Sequence, residues 1–331
     1  MRSSTIVLVA GLLAIIGFAL ADSLRGENDG ERAAAGAEST TARPEEREFE
    51  GTLPPDLLAG RLVFTDRSCD LGVVDLARAV VVHVRDVETN CALSAPLRSR
   101  RIAYGFGPLG RETISYRVTD FLRPEQTLSL VSARPGSIVW SHDGERLAWC
   151  AEEGQGVEAE IGGKERHLRR CADTYTRDDR PVQIDGKRLL VGSKPLVPSM
   201  ADPITAASIA GDGSVAVVLA GERILLLRPG AQTLERTIPM RVRNVVPAFS
   251  PDNCGAIFVT PRREQRPRVF VIDLGCLRGH ERDLSGRRAA WSPDGRWFAV
   301  AEDHTIAFYP VDASSPALRL PGAANQLVWQ R

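Results

Sequence analysis

A short turn motif recurs along this chain of 331 residues and constrains its fold more than any other feature. Each copy places a turn containing aspartate between two apolar strands. In Ser292–Gly295, proline presets φ for the turn, aspartate tolerates the bridge region, and glycine accepts a positive φ. The motif therefore predicts tight antiparallel hairpins. Clear copies are W-S-H-D-G-E-R-L-A at 140–148, F-S-P-D-N-C-G-A-I at 249–257 and W-S-P-D-G-R-W-F-A at 291–299, with weaker ones at 183–191 and 209–217.

Further apolar strands follow the hairpins, and the whole unit repeats. A third strand, such as Arg268–Asp273, comes after a polar loop, and a weaker fourth strand, such as Leu318–Leu320, comes next. Four short strands at a period of about 40 residues are typical of the blades of a β-propeller. Seven blades are favoured, and six are possible because the repeat at Val182 is short. Candidate first strands centre near Ile102, Ile138, Val182, Ala207, Val246, Ala289 and Val328.

The repeated motif resembles the WD-like repeats of TolB-type β-propellers, most clearly at 140–148 and 291–299. The resemblance covers residues 61–331 and implies an all-β propeller of four-stranded blades. It implies no activity, because one fold carries many functions. TolB has an α/β domain ahead of its propeller, and residues 22–60 are too few and too polar for one. TolB's partners are therefore not carried over to this chain.

The two ends of the predicted propeller complement each other. Asn325–Trp329 reads as a first strand with no second strand after it, and Arg61–Thr65 reads as a second strand without its partner. Pairing the two would complete one blade and remove two open sheet edges. We therefore expect the C-terminal strand to close the ring, with Val328 and Trp329 opposite Leu62 and Phe64.

The N-terminal residues predict export from the cytoplasm. Thr5–Ala21 is apolar, follows Arg2 and ends in A-L-A, which fits either a cleaved signal peptide or a retained membrane anchor over residues 1–21. Residues 22–60 hold ten acidic and four basic side chains and predict a disordered acidic linker. We expect the protein to be anchored on the outer face of the cell membrane, or secreted or periplasmic if the signal is cleaved.

Six cysteines favour disulfides in an oxidising compartment. Fifteen connectivities are possible for six cysteines. Neighbouring cysteines are separated by 22, 21 and 22 residues, which favours three local pairs. No C-x-x-C spacing supports a zinc site. The predicted pairs are Cys69–Cys91, Cys150–Cys171 and Cys254–Cys276.

Linear motifs point to no catalytic, cofactor-binding or metal-binding residues. The chain lacks G-x-S-x-G, H-E-x-x-H, a glycine-rich phosphate loop and an EF-hand pattern. Lysine plus arginine equals aspartate plus glutamate at 42 each, which argues against a nucleic-acid binder. His142 is interpreted as an exposed turn residue and His83 as a strand residue. The recurring turn aspartates, interpreted as structural, are Asp143, Asp212, Asp252 and Asp294.

An arginine-rich loop at 261–268 is the most prominent charged cluster, and smaller ones lie at Arg98–Arg101 and Arg166–Arg170. Arg262, Arg263, Arg266 and Arg268 lie between the second and third strands of one blade, with prolines inside the cluster. Arginine binds carboxylate and phosphate groups through paired hydrogen bonds, so the loop is a possible anion-binding site. The alternative is a solvated loop.

These observations favour a non-enzymatic extracytoplasmic propeller that binds an unknown protein or an envelope component. The membrane is a second expected partner, through the N-terminal segment, and neither nucleic acid nor a cofactor is expected. The alternative is an exported enzyme that acts on a glycan or peptide at the channel mouth. A cluster of carboxylates and histidine at that mouth would favour the enzyme. A third hypothesis is a transmembrane sensor.

Overall fold

The computed structural model describes residues 45–48, 53–54, 57, 60–84, 87, 89–108, 112–121, 123–151, 154–260, 267–277 and 281–331. These residues belong to one compact unit, Arg43–Arg331. They form seven antiparallel β-sheets, which are the blades of a propeller. The all-β class and the seven favoured blades are confirmed.

Blade 1 is built from both ends of the described chain. Its five strands, from the inside of the ring outwards, are β29 (Gln326–Gln330), β2 (Arg61–Thr65), β3 (Leu71–Asp75), β4 (Val80–Val84) and β1 (Glu45–Glu48).

Blades 2 to 4 each have four strands, in chain order from the inside outwards. Blade 2 contains β5 (Leu93–Ser94), β6 (Arg101–Phe106), β7 (Ile114–Asp120) and β8 (Arg123–Ala133). Blade 3 contains β9 (Val139–Trp140), β10 (Arg146–Cys150), β11 (Gly156–Glu160) and β12 (Glu165–Leu168). Blade 4 contains β13 (Thr174–Tyr175), β14 (Pro181–Asp185), β15 (Arg188–Val191) and β16 (Lys194–Pro195).

Blades 5 to 7 follow the same plan, and a 3-10 helix at Met240–Val242 links blades 5 and 6. Blade 5 contains β17 (Ile204–Ile209), β18 (Val215–Leu219), β19 (Arg223–Leu227) and β20 (Leu234–Thr237). Blade 6 contains β21 (Ala248–Phe249), β22 (Gly255–Val259), β23 (Arg268–Asp273) and β24 (Arg282–Ser285). Blade 7 contains β25 (Arg288–Trp291), β26 (Trp297–Ala301), β27 (Thr305–Pro310) and β28 (Leu318–Pro321).

Antiparallel pairing divides the loops between two faces of the ring. Loops that join first to second strands and third to fourth strands lie on one face, which we call the hairpin face. Loops that join second to third strands, and the links between blades, lie on the other, which we call the linker face. Second strands such as β18 and β26 are buried along their whole length, because both sides pack against neighbouring blades. A cluster of buried apolar residues accordingly fills the space between each pair of adjacent blades.

The repeated turn is held by its own serine and aspartate. Ser292 Oγ donates to Asp294 Oδ1 (2.6 Å) and accepts from the backbone N–H of Trp297 (2.9 Å). The turns at Ser141 and Ser250 contain the same pair of bonds. The fourth turn position has a positive φ in each copy, 69° at Gly295 and 55° at Asn253. The structural interpretation of the turn aspartates is therefore confirmed for these copies.

The C-terminal strand closes the ring as predicted. β29 pairs antiparallel with β2, and Trp329 lies opposite Leu62 as expected, but Leu327 rather than Val328 lies opposite Phe64, because Val328 faces Val63. Trp329 is buried, and its ring meets the edge of Phe308 in blade 7 at a centroid distance of 5.4 Å. The closing strand therefore joins blade 1 to blade 7 through hydrogen bonds and apolar packing.

Three of the predicted first-strand centres are displaced. Ile102 and Val182 belong to the second strands β6 and β14, and Val246 is an exposed residue just before β21. The true first strands β5, β13 and β21 contain only two residues each. Two residues are too few to show an apolar pattern, so the sequence places the start of blades 2 and 4 at the longer second strand.

Part of the predicted linker 22–60 lies on the propeller. Glu45–Glu48 form β1, and Leu57 is buried in the cluster between blades 1 and 7. Edge pairing uses backbone groups, so an acidic composition does not prevent it. Residues 1–44, including the apolar run Thr5–Ala21, lie outside the described residues. Among the residues that are described, no helix is long and apolar enough to span a bilayer.

The three disulfides are the pairs that the spacing predicts, with Cα–Cα distances of 4.5, 5.1 and 5.0 Å. Cys69–Cys91 and Cys150–Cys171 join the end of a second strand to the link into the next blade. They therefore lie on the linker face. Cys254–Cys276 joins two loops of blade 6 on the hairpin face.

Candidate ligand site at the channel mouth

The centre of the ring opens on the hairpin face into a cavity of about 470 Å³. Its wall comes from the first strands and hairpin turns of successive blades. Trp140 and Phe249 supply apolar surface, and the Trp140 indole is fixed because its Nε1 donates to Ser94 Oγ (2.9 Å). Wall residues from six blades include Ser94, Trp140, Thr174, Ile209, Phe249 and Pro293.

A second cleft of about 410 Å³ adjoins this cavity, and the two share Arg98, His142 and Gly211. Arg177 and Asp179 of the hairpin loop in blade 4 complete its far side. Loops of blades 2, 3, 4 and 5 thus converge here. Linear sequence does not reveal the convergence, because these residues lie tens of positions apart in the chain.

The loop that carries Arg98 is held by the closing strand. The backbone N–H of Arg331 donates to the Leu97 carbonyl (2.9 Å), and Gln330 Nε2 donates to the Arg101 carbonyl (2.6 Å). The same loop packs tightly on the blade 3 turn. A Cβ added to Gly144, where φ is 73°, would lie 2.5 Å from Ser99 Cβ. The position of Arg98 therefore depends on both the ring closure and this glycine.

His142 is half-buried and lines both cavities, in contrast to the exposed turn residue that was predicted. Its backbone N–H donates to Asp179 Oδ1 (2.6 Å), and its Nδ1 lies 3.6 Å from the same oxygen. Asp179 is placed by a backbone conformation with φ of 53°. The blade 4 loop therefore covers a side chain that the turn motif alone would leave in solvent.

Two carboxyl groups at the mouth have shifted pKa values of opposite sign. Burial favours a higher pKa for Asp143, but hydrogen bonds from Ser141 Oγ and the Glu145 N–H, with the charge of Arg146, outweigh it and lower the pKa. Asp173 lies in the wall of the first cavity. Desolvation by the surrounding protein raises its pKa, although the Ile184 N–H bonds to the carboxylate (2.8 Å) and acts in the opposite direction.

Two arginines at the mouth are available to a ligand. Arg98 and Arg177 are both exposed, and neither has an ion-pair or hydrogen-bond partner among the residues that the structure describes. The carboxylate of Asp143, by contrast, already accepts hydrogen bonds within its own turn, from Ser141 Oγ and the Glu145 N–H. The mouth therefore presents free guanidinium groups beside apolar surface.

Of the residues singled out in the sequence, His142 lines both cavities, whereas Arg268 and His83 line neither. Arg262, Arg263 and Arg266 lie outside the described residues, so the anion-binding loop stays a prediction. Arg268 begins β23, on the side of the linker face, and pairs with Asp283 (2.6 Å). His83 lies in β4, as predicted, with its ring against the edge of Phe64. Sequence analysis did not single out Arg177, Asp173 or Asp179.

No protein-family model matches this chain, and no curated protein sequence matches it. Solved structures of other propellers are similar. TolB from Acinetobacter baumannii shares 13% identity and a TM-score of 0.49 over 83% of this chain and 67% of that chain. The Cps50 (Swd1) β-propeller domain of Myceliophteria thermophila shares 13% identity and a TM-score of 0.48, over 73% of this chain and 88% of that one.

A chain of the mitotic checkpoint complex shares 11% identity and a TM-score of 0.51, over 88% of this chain and 100% of that one. Identities this low establish a common fold alone. The predicted resemblance to TolB-type, WD-like propellers is confirmed at that level.

Proposed function

We propose that the protein is a non-enzymatic binding module that holds a protein partner at the channel mouth on the hairpin face. The observation that carries this proposal is the juxtaposition at the mouth. Arg98 and Arg177 are unpaired among the described residues; Arg98 lines the cavity that contains Trp140 and Phe249, and Arg177 lines the adjoining cleft. Aromatic and arginine side chains in a shared recess are typical of the residues that dominate binding energy at protein interfaces.

The recess fits an extended acidic segment of a partner. An apolar side chain of that segment would enter the cavity, and a neighbouring carboxylate would bind the guanidinium groups of Arg98 and Arg177. Exposed Leu97, on the same loop as Arg98, widens the apolar surface at the rim. The propeller fold suits such a role because loops from several blades converge on one surface.

We further propose that the propeller acts outside the cytoplasm. Three disulfides support an oxidising compartment. The N-terminal residues 1–21 would serve as a signal peptide or anchor, and the part of the predicted linker 22–60 that precedes β1 would join it to the propeller. Fractionation of cells with a tag after Arg331 separates anchored from released protein, and recovery of the tag in the cytoplasm would contradict this assignment.

Site-directed photocrosslinking tests the binding proposal. A photoreactive residue at Leu97 should capture a defined partner in intact cells, and the same residue at Val246 on the linker face should not. Exchange of both Arg98 and Arg177 to glutamine should reduce capture about tenfold or more, as expected for charge-assisted hydrogen bonds. Arg100→Gln is the matched control, since Arg100 is exposed in the same loop but does not line either cavity. Equal capture from Leu97 and Val246 would contradict the proposal.

A second candidate function is supported by His142, which lines both cavities, with Asp173 in the first and Asp179 in the second. A carboxyl group with a raised pKa and a nearby imidazole are the groups that acid–base hydrolysis of a glycan or peptide requires. The enzyme hypothesis predicts hydrolysis that Asp173→Asn and His142→Gln each abolish. Hydrolysis that survives both substitutions would exclude this site as its source.

A further inference from the structure

The outer edges of the blades differ in how they are protected from pairing with another chain. Outer strands of most sheets are short and carry charge, which protects an open edge from pairing with another chain. Blade 1 is protected differently, because β1 covers its outer strand β4. The short charged outer strands are β12 (E-R-H-L), β16 (K-P), β20 (L-E-R-T), β24 (R-D-L-S) and β28 (L-R-L-P).

The outer strand of blade 2 has neither form of protection. β8 is eleven residues long, and its final stretch, T-L-S-L-V-S-A at 127–133, contains no charge. No described strand pairs with its outer side. From Ser129 onwards its residues alternate, with Val131 and Ala133 buried against blade 3 and Leu130 pointing the other way, 62% exposed. A β-bulge in the pairing with β7 interrupts the alternation at Leu128, which is 37% exposed.

A blade of this ring already accepts a strand at the equivalent edge. β1 adds antiparallel to β4, with Glu45 opposite His83 and Glu48 opposite Val80. The bonds that form there are between backbone groups, so they do not depend on a particular side-chain sequence. The outer edge of β8 offers the same unpaired backbone groups in a longer strand.

We propose that β8 pairs antiparallel with β8 of a second copy of this chain, with the twofold axis at Leu130. In this register Leu130 faces its own symmetry mate, and Ser129 faces Val131. These residues and their neighbours Leu128 and Ser132 carry no charge, so no like charges oppose each other. Two copies of the uncharged stretch can therefore pair in opposite directions without charge repulsion, as an interface around a twofold axis requires. Pairing also removes the exposed leucines from water.

The proposed dimer is independent of the channel mouth. β8 lies at the outer rim of blade 2, whereas the cavities lie around the central axis. A twofold pair would carry two mouths, and neither would be blocked by the pairing of the edges.

Disulfide trapping in the full-length protein tests the register. Leu130→Cys places one thiol opposite its symmetry mate, and directly opposed strand residues have Cβ atoms about 4.5–5.5 Å apart, close to disulfide range. Oxidation should give a covalent dimer on non-reducing gels. Val246→Cys, at a more exposed apolar residue on the linker face, is the matched control and should stay monomeric. A Leu130→Cys protein that stays monomeric, or that cross-links no more than the control, would overturn the proposal.

Light scattering after size-exclusion chromatography gives an independent measurement. Leu130→Lys should raise the dissociation constant of the dimer at least about tenfold, because like charges would then face each other across the axis. Val246→Lys should leave it unchanged, and equal melting temperatures would show that both variants fold. A dimer that persists in Leu130→Lys overturns the proposal. The Arg98→Gln, Arg177→Gln protein should still dimerise, which separates this inference from partner binding at the mouth.

Discussion

Ser292 and Asp294 show how two side chains fix a turn of the propeller. Ser292 is buried, and its hydroxyl both donates to Asp294 and accepts the Trp297 N–H. The turn therefore satisfies polar groups that would otherwise be buried without partners. The same arrangement at Ser141 places His142 at the channel mouth, so a local turn determines where a site residue lies.

Removal of the Ser292 hydroxyl should destabilise the protein. Ser292→Ala leaves the Trp297 N–H without its bond, and a buried unsatisfied donor costs about 1–3 kcal/mol. Urea denaturation measures the loss directly. Ser315→Ala, at an exposed serine between β27 and β28, should change the free energy of unfolding by less than about 0.5 kcal/mol. Equal stability of the two variants would show that the turn does not need its serine.

The pH dependence of stability should reveal the ionised form of Asp143. Its folded-state pKa lies below the unfolded value of about 3.9, so ionisation favours the folded state. That contribution is complete above about pH 4 to 5 and is lost as the pH falls through the folded-state pKa. Asp143→Asn should therefore be less stable than the parent near neutral pH, and the difference should shrink in acid. Ser315→Ala, which removes no ionisable group, should show no such trend.

At the scale of elements, the disulfides join segments that strand pairing does not connect. Two of them tie a second strand to the link into the next blade, and Cys254–Cys276 ties two loops of blade 6. The first strands that these links lead into, β5 and β13, have two residues each. Covalent bonds therefore reinforce the links that have little strand pairing of their own.

Replacement of any one pair by serines should lower the free energy of unfolding. Closure of a loop of 21 or 22 residues contributes about 3 kcal/mol by restricting the unfolded chain, so the three double variants should lose similar amounts. Denaturation of each variant with the other two disulfides intact tests this expectation. A variant as stable as the parent would show that its loop is held by packing.

For the whole molecule, ring closure and the candidate site are coupled. β29 pairs with β2, and its last residues hold the loop that carries Arg98. A propeller depends on each blade packing against two neighbours, so an open ring would expose two apolar faces. Partner binding at the mouth should therefore respond to changes at the C-terminus.

Deletion of residues 324–331 should cause aggregation or a large fall in melting temperature. The deletion removes β29 together with buried Leu327 and Trp329, and it exposes the edge of β2. Removal of Arg331 alone should leave the melting temperature nearly unchanged, because this residue is exposed and follows the strand. The same small deletion should loosen the Leu97 loop and weaken capture at the mouth. A stable, monomeric 324–331 deletion would contradict closure by β29.

The residue order alone favoured seven blades over six, and it was enough for the closing strand and the disulfide pairs. Turns such as Ser292–Gly295 and apolar runs such as Trp297–Ala301 are determined by neighbouring residues, so they can be predicted from a short stretch of sequence. The recess around Arg98, His142 and Arg177 could not be found in this way. It forms from loops of different blades. The separation of these loops along the chain does not indicate which of them the closed ring brings together. The strand β1 is similar, since an acidic segment joins the sheet through an edge that only the folded blade provides.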